Sequence, residues 1–345
     1  MSELIIGTSA LANANQDLLN EACIQWIRID FPFPFQDKLG GELTPEYLNA
    51  RQQAHTWAAK GFKIMGVTPL IGLGTYRATV EGGMEMIWND WLPPYMGKPN
   101  TDQFLGNYRF VCAFLGDDLK QEVRAWQIAN EMNHIQFSGP QKPRQACDLL
   151  IYGGLGIKEA DPTLLVGWNS CLPVLSYYFY GRIHTHPMNP MDYVGIDAYY
   201  GTWDHGSPED WEKKIIELYE LTGAKVMINE WGYSSAGEVM TPEEARQNIP
   251  NCALKKWRFA WKGGHTPEIQ AEFVQRALMV MANQRQLLLG MFFYRWEDQE
   301  ACWQCGEADC PVETAWGLVD IHNRPKPAFY AFKEGVRQLI ETSRS

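Results

Sequence analysis

Two short stretches of this chain end in the same pair of residues: Trp126-Gln127-Ile128-Ala129-Asn130-Glu131 and Val226-Met227-Ile228-Asn229-Glu230. Each runs from apolar residues into an amide and an acid. A carboxylate at the end of a buried strand is costly unless it is hydrogen-bonded or put to use. A Glu that caps a strand or pairs with Arg accounts for either one alone, and less well for both. Two carboxylates facing one cavity suit glycoside hydrolysis, which needs a protonated acid for the leaving oxygen and an ionised carboxylate for the anomeric carbon.

The elements that must position these acids are legible as apolar runs. Strands are expected at Leu4 to Ser9, Ile24 to Phe31, Phe62 to Pro69, Val123 to Glu131, Leu164 to Cys171, Tyr193 to Tyr200, Lys225 to Trp231 and Leu288 to Trp296. Helical patterns alternate with them, and several open on a hydroxyl residue, Pro and Glu: Thr44-Pro45-Glu46, Ser207-Pro208-Glu209, Thr241-Pro242-Glu243 and Thr266-Pro267-Glu268. The hydroxyl caps a free backbone N–H, Pro needs no donor in the first turn, and Glu favours the positive helix end. A last helix is expected from Pro327 to about Thr342. Eight strands alternating with helices predict an α/β fold, a single (β/α)8 TIM barrel spanning residues 1–345. A doubly wound open sheet would announce itself with a Gly-rich phosphate turn, and Gly72-Leu73-Gly74 is too short for one. Long connections follow strand three (Leu70 to Asn100) and strand eight (Glu297 to Pro311). Both leave the C-terminal ends of strands, where barrels carry their chemistry.

Composition excludes several classes. With 345 residues, 46% hydrophobic, the chain can bury a large core and is no disordered tail. A net charge of −11 repels phosphate backbones, so no nucleic acid partner is expected. No run of about 18 apolar residues occurs, so no membrane partner is expected either. Met1 to Ala10 lacks a cationic, apolar and cleavable leader, which predicts a cytoplasmic protein, or a secreted one if a signal has been removed. Burial accounts for many of the 14 Trp and 15 Tyr, and flat rings with a polar edge also suit a carbohydrate substrate, because they stack on sugars. Nothing in the sequence sets the oligomeric state.

The strand endings resemble those of the clan of retaining (β/α)8 glycoside hydrolases that includes families 5, 39, 42 and 53. Trp126 to Glu131 resembles the strand-four ending, which implies Glu131 as acid/base and Asn130 as a sugar-binding amide. Ile228-Asn229-Glu230-Trp231-Gly232 resembles the strand-seven ending, which implies Glu230 as nucleophile. Trp26-Ile27-Arg28-Ile29 is similar to the segment whose Arg supports the nucleophile, although Arg28 can instead pair with Asp30. Asp192 to Tyr200 resembles strand six, which implies a Tyr on the nucleophile; Tyr199 is favoured over Tyr200 by its motif position. Phe293-Tyr294-Arg295-Trp296 implies Trp296 as the floor beneath the sugar. The chain departs from family 5 at Met132, at Asp197 and in lacking a strand-three His, so the resemblance reaches the clan and no single family.

That resemblance implies cleavage of β-linked glycosides or polysaccharides with no cofactor and no metal at the site. Glu131 must then be protonated at working pH, helped by apolar Trp126 and by Glu230, while Arg28 and Tyr199 keep Glu230 ionised. Trp168 and Trp203 are candidate sugar platforms, as are Trp88, Trp91 and Tyr95; His205 is expected to stabilise a loop. His184-Thr185-His186 has the form used by metal-dependent hydrolases but precedes strand six, at the wrong barrel end. Cys302, Cys305 and Cys310 have a metal-like look and need a fourth ligand, for which neither Cys252 nor His322 stands at an identifying spacing. A catalytically silent carbohydrate-binding barrel is the remaining alternative, and the presence of both Glu residues argues against it.

Overall fold

The computed structural model describes residues 4–79, 84–88, 92–139, 141–171, 175–247 and 249–341. The barrel strands, numbered here in chain order, are β1 (Ile5–Thr8), β2 (Trp26–Asp30), β3 (Lys63–Val67) and β4 (Val123–Gln127). There follow β5 in two pieces (Leu165–Gly167 and Asn169–Cys171), β6 (Tyr193–Ala198), β7 (Lys225–Trp231) and β8 (Leu288–Phe293). Each expected strand is present; β7 keeps its expected bounds, β5 is interrupted at Trp168, and the others are shorter by two to four residues. All neighbours pair in parallel, and β1 pairs with both β2 and β8. The first piece of β5 pairs with β4 and the second with β6. The sheet therefore closes on itself at Trp168, giving an α/β (β/α)8 barrel and excluding the open doubly wound sheet.

Alternation within the strands builds two apolar layers. Inside lie Ile5, Trp26, Met65, Ala125, Tyr193, Met227 and Phe292, with half-buried Leu165 against them, so every strand contributes to a packed floor. Large rings fill this floor only because small residues face them: a Cβ on Gly167 would stand 2.3 Å from the Tyr193 ring. Outward-facing residues such as Ile27, Ile64, Val194 and Ile228 join the far larger core between strands and helices.

The helices start largely where the capping chemistry places them. Thr44, Thr241 and Thr266 each accept a backbone N–H at a helix N-terminus, and Thr241 forms a reciprocal pair with Glu244. Ser207 differs: the helix begins at Asp210, whose carboxylate accepts the Ser207 N–H at 2.8 Å, so the cap bond runs in reverse. Helix Pro327–Glu341 ends the described chain and packs on Pro267–Asn283. The connection after β3 carries an antiparallel hairpin, Gly74–Ala78 with Met84–Trp88. No helix among the described residues is long and apolar enough to cross a membrane.

Candidate active site

At the C-terminal mouth of the barrel lies a cleft of about 630 Å³ that Arg28, Asn130, Glu131, Tyr199 and Glu230 all line. Its further walls come from both long connections: Tyr76 on the hairpin, and Trp303 and Gln304 after β8. Side chains far apart in sequence meet here because parallel strands deliver all their C-terminal ends to one rim.

The two Asn-Glu pairs reach this rim differently. β4 stops at Gln127, and the chain leaves it with Ala129 at φ 52° and Glu131 at φ 42°. Residues with a Cβ adopt this left-handed backbone at a cost, so something must hold them there. Thr68 Oγ1 accepts the Ala129 N–H at 2.8 Å, and Asn169 Oδ1 accepts the Glu131 N–H at 3.0 Å. β7 continues through Glu230 to Trp231, but its register against β6 slips after Ile228, pairing Glu230 with Asp197. A slip of this kind re-aims side chains. It lets Asn229 bond Gln127 inside the barrel while the next residue, Glu230, also faces the cleft.

Arg28 ties the two acids' surroundings together from β2. Its guanidinium lies 2.8 Å from Glu230 Oε1 and donates to Asn130 Oδ1 at 3.0 Å, whereas exposed Asp30 is 3.9 Å away. Tyr199 donates its hydroxyl to the other Glu230 oxygen, while Tyr200 turns outward and packs on Trp211. Asn130 Oδ1 also accepts from Gln127 at 3.0 Å and Asn169 at 2.9 Å, which leaves its NH2 end for the cleft.

Electrostatics separates the two carboxyls. Burial pushes the Glu131 pKa well up, and the charges of Glu230 and Asp204 push it further; a hydrogen bond with Asp197 and the charge of Arg28 offset only part of this. Asp197 is raised for similar reasons, burial first and then Glu230 and Glu131. Burial opposes the charge on Arg28, but Glu230, Asp30 and Asp197 outweigh it and raise its pKa. Burial and the charge of Glu230 hold Tyr199 protonated. The result is a single fixed cation against Glu230 and a cluster of acids around Glu131.

Several expected residues lie elsewhere. Trp126 faces outward onto Phe31, so the dry surroundings of Glu131 come from the cleft walls and not from that ring. Trp296 is fully buried and packs on Phe329; Tyr294 and Arg295, joined by a cis peptide bond, take the cleft positions instead. Trp168 is fully buried against Phe179 and Tyr180, whereas Trp203 lines the cleft. Trp88 stands exposed on the hairpin, Tyr95 packs on Phe35, and Trp91 lies outside the described residues. His205 packs edge-on against Phe259. His184 sits beside Trp168, and His186 accepts the Met188 N–H; neither lines the cleft.

Sequence reasoning missed Asn169, Asp204 and Glu313. Asn169 breaks the apolar run Leu164 to Trp168 at its C-terminal end, a readable signal. Asp204 accepts the Tyr199 N–H at 2.7 Å, and burial lifts its pKa to about 6. Glu313 accepts from Gln304 at 2.6 Å and from Tyr294 at 3.0 Å, and burial lifts its pKa to about 8. Behind this wall of the cleft, Cys252 joins Cys302, Cys305 and Cys310 as the fourth member that spacing left open.

No family model matches the chain. A β-xylosidase of Caldicellulosiruptor saccharolyticus is 22% identical over 234 residues, covering 62% of this chain and 41% of that protein. Among solved structures, a GH10 endoxylanase retrieved from a sugarcane soil metagenome superposes with a TM-score of 0.64 at 16% identity, covering 96% of both chains. The fold is that of the (β/α)8 glycoside hydrolases. The exo-β-1,4-mannosidase of Opitutaceae bacterium strain TAV5 gives a TM-score of 0.65 at 14% identity, covering 99% of this chain and 60% of that one. A glucosidase from Croceicoccus marinus gives 0.62 at 15%, covering 98% and 68%.

Proposed function

We propose that this chain is a retaining glycoside hydrolase acting on β-linked glycosides, oligosaccharides or polysaccharides, with Glu131 as acid/base and Glu230 as nucleophile. The observation that carries the reading is one cleft holding two glutamates in opposite electrostatic settings: Glu230 against Arg28 and Tyr199, Glu131 among other acids. The relatives and structural neighbours, named as xylosidase, xylanase, mannosidase and glucosidase, support the same class of reaction.

The steps follow from the charges. Glu230 attacks the anomeric carbon while Glu131 gives its proton to the departing oxygen, so a glycosyl ester forms as the glycosidic bond breaks. Esterification removes the Glu230 charge, and part of what raised the Glu131 pKa is gone. The ionised Glu131 then takes a proton from water, whose oxygen attacks the anomeric carbon and frees Glu230. Asn130 donates its NH2 to a sugar hydroxyl, Trp203 offers a ring face, and Trp296 and Trp168 support the walls from behind.

A panel of aryl β-glycosides and β-linked oligosaccharides, with product lengths recorded, tests the proposal. Hydrolysis of at least one class by the wild type and not by Glu230→Ala is expected. Binding of these sugars without turnover of any would overturn the proposal in favour of a silent carbohydrate-binding barrel.

A further inference from the structure

The four thiols that the hydrolytic reading does not use have the geometry of a metal centre. Cys252 comes from the short helix Asn251–Leu254 in the connection after β7, and Cys302, Cys305 and Cys310 come from the connection after β8. Their sulfur atoms all lie within 4.8 Å of one another, and Cys252 Sγ and Cys302 Sγ are 3.9 Å apart. A disulfide needs about 2.05 Å. A tetrahedron of four sulfurs bonded at about 2.3 Å to one zinc ion has edges of about 3.8 Å.

The backbone around the sulfurs is arranged for thiolates. N–H groups of Cys305, Glu307 and Val312 point at the sulfurs of Cys302, Cys305 and Cys310 respectively, as outer partners of metal-bound thiolates do. Gly306, directly after Cys305, has φ 81°, so the Cys302-x2-Cys305 turn closes at a residue with no Cβ to oppose it. Cys252, Cys302 and Cys310 are buried, and Cys305 is half-buried.

We propose that Cys252, Cys302, Cys305 and Cys310 bind one structural Zn²⁺ ion, which fixes the wall of the cleft farthest from β4 in sequence. Four soft thiolates, with no fifth donor grouped with them among the described residues, suit tetrahedral zinc and leave no open position for substrate or water. Four thiols lose four protons to solvent as the ion binds, leaving a ZnS4 centre of charge −2 beside Lys255. The ion links the two connections that follow β7 and β8. Between two of its ligands stand Trp303 and Gln304, both on the cleft wall. Gln304 in turn holds Glu313 and accepts the Tyr76 N–H of the hairpin at 2.9 Å, so the metal reaches the cleft through position alone.

Elemental analysis of protein purified without chelator is expected to give one zinc per chain, released stoichiometrically when a mercurial reagent titrates four thiols. Metal removal is expected to lower Tm by on the order of 10 °C. It should also remove hydrogen-exchange protection at residues 251–254 and 302–310 while β4 and β7 keep theirs. Cobalt substitution should give the thiolate charge-transfer bands of a tetrahedral CoS4 centre, reduced or lost in Cys305→Ser. Disulfides found by mass spectrometry, or four free thiols with no metal, would overturn the site. One equivalent of iron in place of zinc would overturn the choice of ion. The titration uses the wild type, so it decides the matter even where a Cys variant fails to fold, and it is independent of whether the cleft cleaves glycosides.

Discussion

Asn130-Glu131 and Asn229-Glu230 are the same dipeptide at two strand ends, yet the barrel gives them opposite surroundings. After β4 the chain has already left the sheet, Asn130 is at the rim, and Glu131 sits on left-handed backbone among Glu230, Asp204 and Asp197. In β7 the dipeptide is still within the strand, Asn229 is fully buried on Gln127, and Glu230 meets Arg28 and Tyr199. Residue identity therefore does not fix the role of a carboxyl. The nearest fixed charges and the local backbone do.

Substitutions that remove one member of the contrast test it hardest. Glu230→Ala deletes the carboxyl that Arg28 meets at 2.8 Å, and activity on every substrate is expected to fall on the order of 10³-fold or more. Added azide is expected to enter the vacated space and give a product of inverted configuration. Glu131→Ala keeps Glu230, the proposed nucleophile, so the loss is expected on the order of 10²-fold or more for poor leaving groups and far less for activated aryl glycosides. Azide should there give the retained configuration. Azide products of the opposite assignment would reverse the two roles.

A pH profile sharpens the comparison further. As the proposed acid, Glu131 must hold its proton, so kcat/KM is expected to fall as pH rises through its raised pKa. Asp204 is one of the charges that raise it, and Asp204→Asn keeps an acceptor for the Tyr199 N–H. This variant is expected to move the basic limb to lower pH, by on the order of one unit at most. An unmoved limb would remove Asp204 from the electrostatics of the acid.

The smallest effect is on stability. Glu313 titrates at about 8 in the folded protein against 4.5 for the unperturbed group, so across that range the folded state holds a proton that the unfolded state has released. Folding is therefore favoured by this group at low pH, and that advantage is lost as pH rises toward 8. Glu313→Gln cannot ionise, so its Tm relative to wild type is expected to climb between pH 5 and 8. A constant difference would contradict the buried, proton-holding state.

Much of this was legible in the sequence, for physical reasons. Parallel strands are apolar on both faces, so the eight runs stood out, and a polar ending on such a run marks the barrel mouth. Alternation says that only one of Tyr199 and Tyr200 faces the cleft, and the motif position singled out Tyr199, which the structure places on Glu230. The motif position failed at Trp296, because the strand ends at Phe293 and the chain beyond it turns Tyr294 and Arg295, not Trp296, to the cleft. The outward turn of Trp126 obeys alternation; there the clan-like motif drew attention to the wrong face. Cys252 could not be singled out over His322 as the fourth partner because its distance from Cys302 along the chain fits no short motif, and only the side-by-side connections after β7 and β8 join them. Asp204 stands in a loop, where no periodicity predicts direction.

The division of labour between Glu131 and Glu230 is tested most directly by the configuration of the first sugar released. Proton NMR within the first turnovers on a β-linked substrate, before mutarotation, is predicted to show the β-anomer, the outcome of two displacements at the same carbon. Initial release of the α-anomer would mean one displacement by water and would contradict Glu230 as nucleophile.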